Sequence, residues 1–481
     1  MHIVQYIQKI TMPYPGVYRT LTSVYGLCAE IGFFFHALLT GKLFLRPDKG
    51  RFSAFLSRQK VISYPIKGAN FTSIEEFRRW LESCGLDYVE GGWTFYLPPQ
   101  EGLYNYFGFL KKDYPPGAGL KILKDFRSPD EAVYTRRGLN PAPGAALKRS
   151  LTPSPRGLLR VANYLYSHGL GMRVYDLTAL EGGTVTLTCY VIQDVRGPAV
   201  QPNEYDSFME AIKGLFETGE ILTIHQHTNL MWDFRPPDCS GNLIIDSATG
   251  RPLFVDFQGF LLKDEDKILT RIANEVKEKT HFGGSRFYRG GGSYLYQAIP
   301  GLVVGKRDMG TRWNIFLEMM QEAGFSLMNR RVYDIGCNTG LILYNALSGG
   351  AQWGMGWDMP EVVKGAERVL LTLGATRFNL YGEKISEDTD FVSRIPERYR
   401  NEKDGVLFFL AVSDHIGFPD GIAELPWKYM FYEGHSRQGY EFTLERIRAV
   451  PWLNKTEILV RRSFADGDTP RREVILIKRS S

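Results

Sequence analysis

The chain has 481 residues, 44% of them hydrophobic and 23% charged, and carries a formal net charge of +5. That length predicts two or three domains, the apolar content excludes a disordered chain, and so small a charge gives no clear nucleic-acid signal. The five cysteines stand apart with no C-x-x-C pair, which excludes a structural zinc site, a cysteine-held iron–sulfur cluster and a disulfide framework and suits a reducing, cytoplasmic setting.

Residues 1–65 are apolar and aromatic, broken by Pro13, Pro15 and Pro47. The pattern lacks the basic region, apolar run and cleavage site of a signal peptide. Within 21–45, Glu30, His36 and Lys42 interrupt the apolar residues, so no run approaches the about 20 needed to cross a bilayer. A buried helix and a peripheral contact at the inner membrane face are the two expectations for this segment. Residues 66–150 alternate short strand-like runs with Gly/Pro turns, and 118–125 carries Lys121 and Lys124. A loop over 140–155 leads into a helical pattern at 156–170 and a strand at 186–195.

The run Asp238-Cys-Ser-Gly-Asn242-Leu-Ile-Ile-Asp246, a turn at Thr249-Gly250-Arg251-Pro252 and the run Leu253-Phe-Val-Asp256-Phe257 form a hairpin pattern with polar residues at fixed points. An ordinary hairpin explains the buried-type Leu243, Ile245, Phe254 and Val255, but it gives no reason for the asparagine and the aspartate. The pattern resembles the catalytic and metal-binding loops of the protein-kinase fold, including small-molecule kinases, over roughly residues 88–280. By that resemblance Asn242 and Asp256 would hold magnesium on ATP, and Asp238 would accept the proton of an attacking hydroxyl. Lys121 would contact the nucleotide phosphates, and 186–195 would lead into the hinge. Several parts depart from the family pattern. Asp238 precedes Asn242 by four residues rather than five, Gln258 replaces a glycine, and the helix at 156–170 has no glutamate for the lysine. An active kinase and a non-catalytic recognition module both fit.

Glycines at 283–284 and 290–292 mark a connector, followed by a helical pattern at 313–325. Beyond it, strands and helices alternate in the βαβ manner of a mostly parallel sheet. Arg331-Val-Tyr-Asp334-Ile-Gly336-Cys-Asn338-Thr-Gly340 reads as a strand entering a tight turn, with a helix at 341–347. A second strand, 352–357, ends at Asp358, placed to accept hydrogen bonds from the ribose hydroxyls of an adenosine cofactor. A dinucleotide site needs G-x-G-x-x-G. Here the spacing is D-x-G-x-x-x-G, and Asp334 would repel a pyrophosphate yet pair with the cationic amine of S-adenosylmethionine.

This stretch resembles the first motif of class I methyltransferases, with further strands expected at 375–380, 405–412, 428–433, 456–462 and 473–478. The resemblance implies a Rossmann-like seven-stranded domain binding S-adenosylmethionine through Asp334, Gly336, Asn338, Gly340 and Asp358. Ser413-Asp414-His415-Ile416 stands where nucleobase-amine enzymes carry Asp/Asn-Pro-Pro-Tyr, which points away from DNA amino-methylation. His435, His415 and Glu433 fall at strand ends, either as general bases or as structural residues. Arg307 and Arg312 are placed either to grip a phosphate or carboxylate or to pack. Arg461-Arg462 and Arg471-Arg472 read as solvated strand edges or turns.

The expected organisation is therefore an apolar segment at 1–65, an α+β bilobal kinase-like domain at 66–280, a connector at 281–329 and an α/β methyltransferase domain at 330–481. The pairing resembles bifunctional kinase–methyltransferases of O-antigen capping, in reversed order. It implies an O-methyltransferase acting on a glycan or lipid-linked polymer precursor, with Mg-ATP as a second cofactor. A natural-product or RNA methyltransferase with an upstream recognition domain is the alternative.

Overall fold

The structure is a computed structural model. It describes residues 305–434, 440–464 and 472–480 continuously and, upstream, chiefly 60–66, 70–83, 154–193, 243–255 and 295–300, with shorter pieces between 87 and 272. Asp238, Asn242, Asp256 and His435 lie outside the described residues, as do nearly all of 1–65 and the glycine-rich connector.

The upstream half is built on a six-stranded sheet of β1 (Ile62–Pro65), β2 (Asp87–Val89), β3 (Thr94–Tyr96), β4 (Gly119–Ile122), β5 (Val174–Gly182) and β6 (Val185–Ile192). The order is β1-β5-β6-β4-β3-β2, antiparallel except where β1 runs parallel to β5. β6 is rich in Val and Thr, which suit a pleated surface, and both β5 and β6 are mostly buried. β1 lies just upstream of residue 66 and pairs with β5 over Ile62–Pro65. The helices of this half include α1 (Ile74–Ser83) and α2 (Pro155–Ser167). Helix α2 is inserted between β4 and β5. Ser154 caps it by accepting the Gly157 N–H at 3.2 Å, and Pro155 occupies the first turn, where no N–H is missed.

Short pairs follow: β7 (Ile221–Thr223) with β10 (Phe260–Leu262), and the hairpin β8 (Leu243–Ile245) and β9 (Pro252–Phe254). Then come β11 (Leu295–Gln297) and β12 (Gly305–Arg307), which run parallel. Helix α3 (Met309–Glu322) starts at Asp308, whose carboxylate accepts the Gly310 and Thr311 N–H groups. It starts four residues before the apolar pattern suggested, because the cap sets the boundary rather than the first buried residue.

The C-terminal sheet has seven strands: β13 (Arg331–Ile335), β14 (Trp353–Asp358), β15 (Phe378–Gly382), β16 (Gly405–Leu410), β17 (Trp427–Glu433), β18 (Glu457–Phe464) and β19 (Arg472–Lys478). Their order is β15-β14-β13-β16-β17-β19-β18; β19 runs antiparallel to both neighbours and the other pairs are parallel. β13 and β14 are buried throughout, as expected of parallel strands covered on both faces. Helices α4 (Leu341–Ser348) and α5 (Pro360–Thr372) make the crossovers.

The halves share their cores. One apolar cluster joins Leu158, Tyr190 and Phe254 to Leu343 and Leu476, and a second joins Phe77 and Leu120 to Tyr333 and Trp427. The seam is also polar: Asn163 donates to the Leu371 carbonyl at 3.0 Å, and the Arg377 N–H donates to the Tyr175 carbonyl at 3.1 Å. There the fully buried Asp176 pairs with Arg377 at 3.5 Å and accepts the Tyr114 hydroxyl at 2.6 Å. Among the described residues no helix is long and apolar enough to cross a membrane.

Candidate active site

In the C-terminal sheet the strand order reverses between β13 and β16, and in open α/β sheets ligands bind outside the carboxyl ends of the strands at such a point. The chain leaves β13 there through Gly336 (φ 77°) and Asn338 (φ 51°), and reaches α4 through Gly340 (φ 77°). Glycine is needed at the first of these for space as well: a Cβ on Gly336 would stand 2.5 Å from Cγ1 of Val412. Asparagine is among the few side chains that tolerate the left-handed region, which suits Asn338 to this position.

The turn is tied to β14 from both ends. The N–H groups of Gly336 and Cys337 donate to the Trp357 carbonyl at 2.8 and 3.1 Å. Asp358 then accepts the Asn338 N–H at 2.9 Å on one carboxylate oxygen and the Met359 N–H at 2.8 Å on the other. Burial raises the Asp358 carboxyl, and the two backbone donors pull it back. Asp334 sits deeper. Burial and then the charge of Asp358 push its carboxyl up to about 8, against the pull of Arg312. Among the described residues its Oδ2 has no hydrogen-bond partner, and neither does Oδ1 of Asn338, although both atoms are buried. A cradle with two buried acceptors facing no donor suits a ligand that brings donors, such as an amine and ribose hydroxyls.

A second cluster lies at the end of β17. Glu433, wholly buried, is paired with Arg307 at 3.1 Å, with Arg472 at 3.1 Å and with Arg312. Three guanidiniums therefore surround one carboxylate, each of them 6% exposed or less. The cluster reaches the cradle through Gln297, at the end of β11, which accepts the Thr339 hydroxyl inside the turn. Glu433, Arg307 and Arg312 were expected as separate features, and the structure brings them together. Arg472 corrects the reading of the basic pair 471–472 as a solvated edge: its side chain falls on the face of β19 shared by the buried Val474 and Leu476. Period-two counting back from that apolar run was the available signal. Arg461 and Arg462 are half-exposed, as a solvated edge should be.

His415 lies in the short helix α6 (Ser413–Ile416) with its side chain exposed. Beside it, Ser413 and Tyr432 share a hydrogen bond of 3.0 Å between buried hydroxyls, closer to the strand ends than the histidine. In the upstream half, Lys121 is buried on β4. Its Nζ donates to the Val255 carbonyl at 2.8 Å and stands 5.1 Å from the centre of the Phe257 ring.

The mixed α/β architecture and the seven-stranded sheet are consistent with a Rossmann-like methyltransferase fold. No family model and no curated protein matches the chain. Solved structures similar to part of it include a magnesium protoporphyrin IX methyltransferase from Synechocystis PCC 6803 with bound S-adenosylmethionine, at 15% identity and a TM-score of 0.29, covering 45% of this chain and 98% of that one. A putative RNA methyltransferase from Pyrococcus horikoshii matches at 14% identity and a TM-score of 0.28, covering 37% of this chain and 88% of that one. A ribosomal protein methylase from Lactobacillus delbrueckii subsp. bulgaricus matches at 15% identity and a TM-score of 0.26, covering 38% and 88%.

Proposed function

We propose that the C-terminal domain is an S-adenosylmethionine-dependent O-methyltransferase whose acceptor carries an anionic group. The observation that carries the first part is the cradle: Asp358 fixed by two backbone N–H groups beside a glycine turn, with the buried acceptors of Asp334 and Asn338 unmatched. Asp358 would hold the ribose hydroxyls, Asp334 the methionyl amine, and Gly336 and Gly340 would admit the backbone of the turn close to the ligand. The cofactor supplies an electrophilic methyl group, and the domain supplies orientation and a site closed to water. Supporting the anionic acceptor is the gathering of three buried guanidiniums, those of Arg307, Arg312 and Arg472, at the end of β17. In this reading Glu433 is a positioning residue that holds Arg307, Arg312 and Arg472 in place, rather than a base. His435 and His415 are the remaining base candidates, and the exposure of His415 favours His435.

For the upstream half the reading is a kinase-like domain. Its support is the strand order β2-β3-β4-β6-β5, the helix α2 between β4 and β5, and Lys121 reaching the residue just before Asp256. Lys121, Asn242 and Asp256 would hold Mg-ATP, with Asp238 beside the acceptor hydroxyl. A glycan or lipid-linked polymer precursor, phosphorylated, methylated or both, at the inner membrane face would suit two such domains in one chain. A non-catalytic recognition module for a small molecule or RNA is the second reading, favoured by a helix α2 that holds no glutamate for Lys121. Calorimetric titration with Mg-ATP separates them: binding that disappears in Asp256→Ala supports a nucleotide site. No binding, from protein that still takes up S-adenosylmethionine, leaves the recognition module.

A further inference from the structure

A cavity of about 480 Å³ opens on the seam between the halves, walled by β5 and the turn of the β8–β9 hairpin on one side and by β14, β15 and α5 on the other. Its size falls within the range of small-molecule sites, which favour domain interfaces. Among the described site residues, none of Lys121, Asp334, Asp358 or Glu433 lines it.

The chemistry of its wall is specific. Tyr166, Tyr175, Trp353 and Phe378 contribute aromatic rings. Arg173 is held between two of them, its guanidinium 5.1 Å from the ring centres of both Tyr166 and Phe378, and its charge is shared with Glu367 at 3.2 Å. Two amides also line the cavity, and each has its oxygen already engaged. Gln193 Oε1 accepts the Arg173 N–H at 3.1 Å, and Asn379 Oδ1 accepts the Trp353 indole N–H at 2.6 Å. What these amides have left to offer is their NH2 donors. Arg251, exposed on the hairpin turn, adds a guanidinium with no ion pair among the described residues. Asp246, the nearest acid on that turn, is committed to the Thr249 hydroxyl at 2.6 Å and the Ala248 N–H at 3.3 Å.

The wall thus sets amide donors and two guanidiniums around flat aromatic faces, and its two carboxylates are engaged, Glu367 with Arg173 and Asp246 within its own turn. It calls for a ligand with a planar ring bearing acceptor atoms and an anionic group. We infer that the cavity between the halves is a binding site for a nucleoside monophosphate, with the base against the aromatic rings and the amide donors, and the phosphate at Arg251. A ligand there touches both halves at once, so its occupancy favours the arrangement in which they are packed together.

The test is calorimetric titration of the full chain with adenosine monophosphate. The expected result is saturable one-site binding that is unchanged in Lys121→Met and weakened at least tenfold in Arg251→Ala, while Arg251→Ala binds S-adenosylmethionine like the parent. Ribose 5-phosphate, which lacks the ring, should bind at least tenfold more weakly. Binding lost in Lys121→Met and kept in Arg251→Ala would assign the heat to the other cleft and overturn the inference. So would equal binding of ribose 5-phosphate, or no saturable binding at all.

Discussion

Two carboxylates beside the same turn, Asp334 before it and Asp358 at the end of β14, make different predictions. Asp358 faces the expected ribose, so Asp358→Ala should weaken S-adenosylmethionine binding by about 1–3 kcal/mol, read by titration calorimetry. Unchanged affinity would remove the proposed cofactor site. Asp334 is the group that responds to pH. Its carboxyl is raised from 3.8 to about 8 in the folded chain, so between those values the folded state holds a proton that the unfolded state has released. Its contribution to stability therefore falls as pH rises from about 4 to about 8. A cationic amine beside it favours the ionised form, so cofactor affinity should rise from pH 6 to 8, with proton release near pH 7. Titrations in buffers of differing ionisation enthalpy measure that release. Flat affinity across this window would separate the amine from Asp334.

At the scale of elements, the strand–turn–helix at β13 and α4 should be the least tolerant segment. Gly336→Ala forces a Cβ against Val412 at a positive φ and should cost about 1–3 kcal/mol, visible as a lowered Tm and weaker cofactor binding. The buried end of β17 is equally exacting. Glu433→Gln removes the buried carboxylate with which Arg307, Arg312 and Arg472 all pair, and a loss of about 3–5 kcal/mol is expected in denaturant unfolding. How far the chain could be read in advance follows from these same elements. The strands of the C-terminal sheet were legible to within a few residues because fully buried parallel strands leave apolar runs bounded by turn residues. β15 was placed three residues early, since Ala375 and Thr376 are buried by the seam and not by strand pairing. Arg472 was missed because a charged residue at a strand's first position looks solvent-facing until the sheet's inner face is known. Nothing local in the sequence announces the cavity on the seam, whose wall comes from segments nearly two hundred residues apart.

The described residues of the two halves share their cores. Apolar clusters that run from Leu158 to Leu476 and from Phe77 to Ile477 cross the seam, so heating should give one calorimetric transition rather than two. Asp176→Asn should lower that single transition as a unit, because it strips the buried Arg377 of its carboxylate. Two resolved transitions, with only the upstream one shifted, would show that the halves are energetically separate.

The Asp176–Arg377 pair has a consequence for how the chain is made. The carboxylate leaves the ribosome well ahead of the guanidinium that will neutralise it, by on the order of 10–40 s at ordinary translation speeds. During that interval the upstream half carries a hydrated acid and the bare apolar face that later closes on Trp353 and Phe378. A nascent or prematurely terminated chain ending before residue 300 should therefore engage holdase chaperones and precipitate without them, whereas the complete chain should not.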